Sequence, residues 1–183
     1  MIRYTRLLLV ATLAAAAILL ARPALAGPPL LCHPFDIGAA RTLPMGSSGS
    51  WQAIDPKYDV SRLVDDTLAL LGPTTPVTVR METIRRATIY ASSHPTQATR
   101  LLTALEERAK TAPASVAALA VFDFGYLAET YKEAAYMFAE PIRTLDRING
   151  YQLVLKAHAL QNDGAMQHAA RLITDGLPAR ATK

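Results

Sequence analysis

The stretch from Ser115 to Phe138, SVAALAVFDFGYLAETYKEAAYMF, is apolar on nearly every side through its first half. A helix with no polar face cannot lie on a surface, so this segment is expected to be the central, most buried helix of a helical protein. Its neighbours supply the partners. After Asp59, Leu63, Val64, Leu68 and Leu71 form one apolar stripe, with Asp59 or Ser61 as cap and Gly72-Pro73 as stop. A second helix is expected to begin at Thr75-Pro76 and run to about Ser92, with Val77, Met81, Ile84, Thr88 and Ala91 inward and Glu82 pairing with Arg85 and Arg86 outside. A third runs from about Pro95 to Thr111, turning Leu101, Leu102 and Leu105 inward and Glu106, Glu107, Arg108 and Lys110 to water. The long apolar helix is expected to reach about Phe138, ahead of Pro141. A short helix from Ile142 to Ile148 follows, then a final pair, Tyr151–Gln161 and Gly164–Thr174. No stretch shows sustained two-residue alternation rich in β-branched residues, so no sheet is expected. The fold class is all-α: an array or bundle of antiparallel helical hairpins occupying residues 59–178, with 179–183 as a tail.

Residues 1–26 have another character. Arg3 and Arg6 precede an apolar run, Leu7 to Ala21, that is shorter than the roughly 20 residues of a permanent span, and Ala24-Leu25-Ala26 suits signal peptidase. A Sec-type leader cleaved after Ala26 is expected, placing the protein in the periplasm or outside the cell, with no stable membrane span after cleavage. Leu31 before Cys32 spoils a lipobox, so no lipid is expected. Three of the 19 basic residues (Arg3, Arg6, Arg22) and none of the 15 acidic ones belong to the leader, which leaves 16 against 15. The basic charge is thus largely a property of the targeting segment, and no nucleic-acid partner is inferred.

Between leader and helices, residues 27–58 carry five prolines (28, 29, 34, 44, 56) and the cluster Gly46-Ser47-Ser48-Gly49-Ser50. This is an extended arm. Leu30, Leu31, Phe35, Ile37, Leu43 and Trp51 give it more apolar anchors than a solvated linker carries, so it is expected to lie over the helical body, with Phe35 and Ile37 as the plug.

The ending YQLVLKAHALQNDGAMQHAARLI resembles one tetratricopeptide unit, with Ala157, Ala165 and Ala169 where helices approach closely and Gln161-Asn162-Asp163 at the turn. No 34-residue period recurs, and the resemblance implies an αα-hairpin within a TPR-like helical repeat. Separately, LLCHPFDIG, YDVSRLVDDTLALL and VRMETIRRATIYA resemble segments of secreted bacterial helical proteins without an assigned activity.

Several side chains are candidates for chemistry. Cys32, His33 and Asp36 are metal-ligand types, but three ligands on an extended segment with no second cluster make a weak site, and the expected role is a packed anchor with Asp36 satisfying N–H groups. As the chain's one cysteine, Cys32 has no internal disulfide partner. Asp123 on the most apolar helix needs a partner, for which Arg85, Arg86 or a tyrosine is expected. Asp123 and Glu129 are about 120° apart around a helix, so they do not form a carboxylate pair. Phe122 to Phe138 hold six of the 11 aromatics outside the leader, and Tyr126, Tyr131 and Tyr136 turn round the helix rather than lining one wall. The expected default is core packing; the sharper reading is a ligand site of Asp123, Tyr126, Tyr131, Arg85 and Arg86. His158 and His168 are expected to be surface or satisfied histidines. With no phosphate loop, nucleophile elbow or haem motif, no cofactor is expected.

The function these readings favour is an exported, non-enzymatic helical protein that binds a protein, peptide or envelope component. A small exported enzyme with a site assembled around the aromatic helix is the alternative, and an accessory protein dimerising through the arm is a third.

Overall fold

Asp59 opens the helical part as expected: its carboxylate accepts the Ser61 N–H at 3.0 Å and starts a 3-10 turn, Val60–Arg62, that runs into α1 (Leu63–Leu70). The computed structural model describes residues 29–176, so the expected leader (1–26) and tail (179–183) lie outside the described residues. Among the described residues there are six α-helices and no strand: α1, α2 (Val77–Ser92), α3 (Pro95–Thr111), α4 (Ala117–Glu133), α5 (Gly150–Leu160) and α6 (Gly164–Gly176). No helix among them is long and apolar enough to cross a membrane.

α1 has no terminal glycine cap of its own. Its last carbonyls are taken from elsewhere: Arg108 donates to Leu68 O and to Leu71 O, the Thr75 hydroxyl donates to Leu70 O, and Arg80 serves Gly72 O and Thr75 O in the turn that follows. α3 follows the sequence pattern closely, with Pro95 in its first turn, Ala98, Leu101, Leu102 and Leu105 buried, and Lys110 paired with Glu106 and Glu107 in water.

The bundle has two central helices. α4 is buried from Ala118 to Tyr131, as its composition demands. In α2 every residue but Thr78 and Arg86 is buried as well, including Arg80, Glu82 and Arg85. The pairing of Glu82 with Arg85 and Arg86, expected outside, is therefore inside, because the arm covers the face of α2 that carries it.

α4 stops at Glu133, five residues before the expected end. Two tertiary contacts override the helical pattern: Glu133 is drawn to the start of the arm, and Phe138 folds back edge-on against Tyr131, ring centroids 5.1 Å apart. The expected Ile142–Ile148 helix is reduced to a 3-10 turn, Leu145–Arg147. α5 is capped by Asn149, whose side chain accepts the Gln152 N–H at 3.1 Å, and packs closely on α4. The two helices meet glycine to glycine. A Cβ on Gly125 would lie 2.6 Å from Leu153 Cβ and 2.8 Å from Gly150 O, so the crossing admits no side chain there.

The arm is ordered along the described residues from Pro29, but its anchors differ from the expected plug. Leu30, Leu31 and Leu43 are the buried ones, while Phe35 and Ile37 are half-buried. At Phe35 the chain presents its main-chain N–H, not its ring, to the buried charges of α2.

Candidate functional site

Glu82 is the centre of the arm's attachment. It lies three and four residues before Arg85 and Arg86, so one helical turn brings both guanidinium groups to its carboxylate. Arg85 makes a two-pronged pair, Nε to Oε2 at 2.7 Å and Nη2 to Oε1 at 2.8 Å, and Arg86 Nε reaches Oε1 at 2.6 Å. The remaining donors turn to the arm: Arg85 Nη1 to Leu31 O (3.0 Å) and Trp51 O (3.2 Å), Arg86 Nη1 to Leu43 O (2.7 Å). Glu82 in return accepts the Phe35 N–H at 3.1 Å. Burial works to raise the Glu82 carboxyl, but the bonds from Arg85, Arg86 and Phe35 outweigh it and hold the group below the ordinary glutamate range. Arg85 and Arg86, expected as ligand-binding residues, are therefore spent on main-chain carbonyls that an extended segment cannot satisfy itself.

Tyr90 and Glu133 extend the same attachment. The Tyr90 hydroxyl donates to Pro44 O at 2.9 Å and accepts the Asp55 N–H at 3.0 Å. Glu133 Oε1 accepts the Leu30 and Leu31 N–H groups at 2.7 and 3.1 Å and has no cation paired with it among the described residues. Burial pushes Glu133 up to about 7 despite those two bonds.

Asp123 pairs with neither Arg85 nor Arg86. Its partner is Arg80, Nη1 to Oδ2 at 2.5 Å, with both side chains fully buried. Arg80 lies about one and a half turns before the expected arginines, on the stretch of α2 beside the end of α1, where it also serves the carbonyls of Gly72 and Thr75. Burial raises the Asp123 carboxyl to about 6, with Arg80 opposing, and its Oδ1 has no hydrogen-bond partner. Tyr126 stacks on Phe122 at 5.5 Å with its hydroxyl unpartnered, Tyr131 reaches Ala98 O at 3.4 Å, and burial drives both phenols well above the ordinary tyrosine range. Tyr136, in the 3-10 turn Ala135–Met137 after α4, is 64% exposed. Asp123, Tyr126, Tyr131 and Arg85 thus belong to the packed interior, and Arg86, partly exposed, is held at its edge by Glu82 and Leu43 O. Glu129 is likewise engaged, accepting from Lys132 Nζ (2.8 Å) and the Tyr151 N–H (3.2 Å) to tie α4 to α5.

The opening segment assembles no metal site. His33 and Asp36 are exposed, Cys32 is half-buried, and Asp36 caps its own turn by accepting the Gly38 N–H at 3.0 Å. Among the described residues no three His, Cys, Asp or Glu side chains gather closely enough to hold an ion. Burial, with the nearby Glu133 charge, raises the Cys32 thiol, the opposite of what a nucleophile needs. His158 Nδ1 lies 3.1 Å from Asp163 O at the α5–α6 turn, and His168 is exposed.

A cleft lies elsewhere, between the arm, α1 and the turn into α2, with a volume of about 650 Å³. Leu43, Leu70 and Val79 give it an apolar base; Thr42, Tyr58, Thr74 and Thr75 contribute hydroxyls; Arg41, Arg62 and Asp66 bring charge. Asp66 is already engaged, by Arg62 Nη2 at 2.9 Å and the Tyr58 hydroxyl at 3.0 Å. Sequence reasoning missed this site because its walls are brought together by the Glu82 cluster and Tyr90, contacts that no local pattern announces. The legible hint was small: Arg62 and Asp66 one turn apart on the polar face of α1.

Comparison with known proteins finds no matching family model, curated relative or solved structure.

Proposed function

We propose that this is an exported, non-catalytic helical binding protein that takes a protein or peptide segment in the cleft between arm and helices. The expected leader at residues 1–26 supports export. The cleft itself carries the reading: its volume falls in the range of ligand sites, and it combines an apolar base with a few polar groups. Its arm wall is fastened to α2 by buried charge, so the shape is largely formed in advance. The buried ionisable groups of α2 and α4 are directed at one another and at main-chain groups, which fits a scaffold better than acid–base chemistry.

Ala69 lines the cleft from the exposed side of α1, so Ala69→Trp fills the space without entering the core. Tagged wild-type and Ala69→Trp proteins would be used for capture from the envelope fraction of the producing cells. The expected result is at least one protein held by the wild type and lost by a variant with unchanged melting temperature. Identical capture by both would refute the cleft as the binding site.

A further inference from the structure

The walls of the cleft select a particular chemistry. On the arm side, residues 40–46 run without helix or turn. The groups facing α2 are used up there: Leu43 O by Arg86, Pro44 O by Tyr90, and the Thr42 hydroxyl by Thr83 at 3.1 Å. The main-chain N–H and C=O of Thr42 bond to no described residue. A backbone outside helix and turn, with a donor and an acceptor that bond to no described residue beside an open cleft, can pair with an extended chain as an added strand would.

The charge at the cleft is net positive. Asp66, the lining carboxylate, already accepts from Arg62 and Tyr58. Arg62 spends one nitrogen on Asp66 and keeps a side chain that is 67% exposed, and Arg41 is exposed and unpaired with any described residue. Two guanidinium groups with donors to spare, against one carboxylate doubly engaged, leave the cleft cationic, and guanidinium favours two-pronged contact with carboxylates.

We infer that the occupant is an acidic peptide segment in extended conformation, its backbone paired with Thr42 and its carboxylates on Arg41 and Arg62. This rests on the cleft being the binding site and adds the class of partner. In an extended chain, side chains two residues apart share a face, so alternate acidic residues can meet the arginines while the others rest on Leu43, Leu70 and Val79.

The probe is a fluorescein-labelled peptide of alternating Glu and Thr, read by anisotropy against its Gln-for-Glu and Lys-for-Glu counterparts at low and near-physiological ionic strength. Saturable binding of the Glu peptide is expected, weakening with salt and falling away for the Gln and Lys peptides. Arg41→Gln should weaken it about fivefold, the upper end for one exposed charge pair. Arg62→Gln should weaken it more, because it also frees Asp66 to repel the ligand. Equal binding of the Gln peptide, indifference to the double variant Arg41→Gln/Arg62→Gln, or no saturable binding of the Glu peptide would overturn the inference. So would displacement of the peptide by free glutamate or inorganic phosphate at matching concentrations, which would mark a small-anion site. Any of these leaves the cleft itself standing if Ala69→Trp still abolishes capture of the cellular partner. Identical capture by Ala69→Trp would remove the cleft.

Discussion

Replacing Glu82 separates two roles a buried ion cluster can have. Glu82 is fully buried, balances Arg85 and Arg86, and accepts the Phe35 N–H. Removing one member of a buried pair leaves an uncompensated charge and costs about 3–5 kcal/mol. Glu82→Gln should therefore lower the melting temperature by about 6–20 °C, at 2–4 °C per kcal/mol for a chain of this size. Hydrogen exchange of residues 30–45 should rise with it. The sharper test removes Glu82, Arg85 and Arg86 together, so that no member of the cluster is left uncompensated. Where a buried pair serves only itself, two apolar residues of similar volume are often neutral or stabilising. Here Glu82→Met/Arg85→Met/Arg86→Met would still strip the Leu31, Trp51 and Leu43 carbonyls of their donors, at about 1–3 kcal/mol for each group left unsatisfied in the interior. The triple variant is thus expected to stay well below wild type in urea unfolding and to keep an unprotected arm. Wild-type stability with a protected arm would show that the cluster does not hold the arm.

Three further outcomes are open to measurement. Gly125→Ala should destabilise by about 1–3 kcal/mol in chemical denaturation, because the new methyl meets Leu153 and the Gly150 carbonyl at the α4–α5 crossing; a neutral result would mean that the helices separate freely. Glu133 has a folded pKa raised from 4.5 to about 7, so the folded state holds its proton longer than the unfolded chain and this group's contribution to stability falls as pH rises through that window. Asp123 acts in the same direction but only up to about 6, so Glu133→Gln should remove the slope of unfolding free energy between about pH 6 and 7, and a slope unchanged in the variant would contradict the assignment. Cys32 should react with maleimide more slowly in the native protein than after denaturation, and Cys32→Ser should leave the melting temperature nearly unchanged; fast native labelling would point to a reactive thiol.

The helices were legible because their signals are local. Pro95 with Leu101, Leu102 and Leu105 marked α3 to the residue, and Asn149-Gly150 and Gln161-Asn162-Asp163 bracketed α5. The end of α4 was not legible, since Pro141 is eight residues beyond Glu133 and the break depends on Leu30, Leu31 and Tyr131. The partner of Asp123 failed for a similar reason: Arg80, Arg85 and Arg86 are equivalent in composition, and only the position of the α1–α2 turn and of the arm assigns them. Phe35 had the stronger hydrophobic claim to be an anchor than Leu30 or Leu31. Main-chain hydrogen bonding at Phe35 decided otherwise, and side-chain patterns carry no information about it.

The bonds from Leu30 and Leu31 to Glu133 span 103 and 102 residues of chain. The arm is made first, yet the surface that receives it exists only after α4 has been made and packed on α2. Closing so long a loop early would cost entropy with little to offset it, so the arm is expected to dock late, onto a bundle already assembled. Contacts made that late are expected to be absent from the folding transition state. Strengthening them should then slow unfolding and leave the folding rate nearly unchanged, so that the arm would set how long the native state lasts rather than how fast it forms.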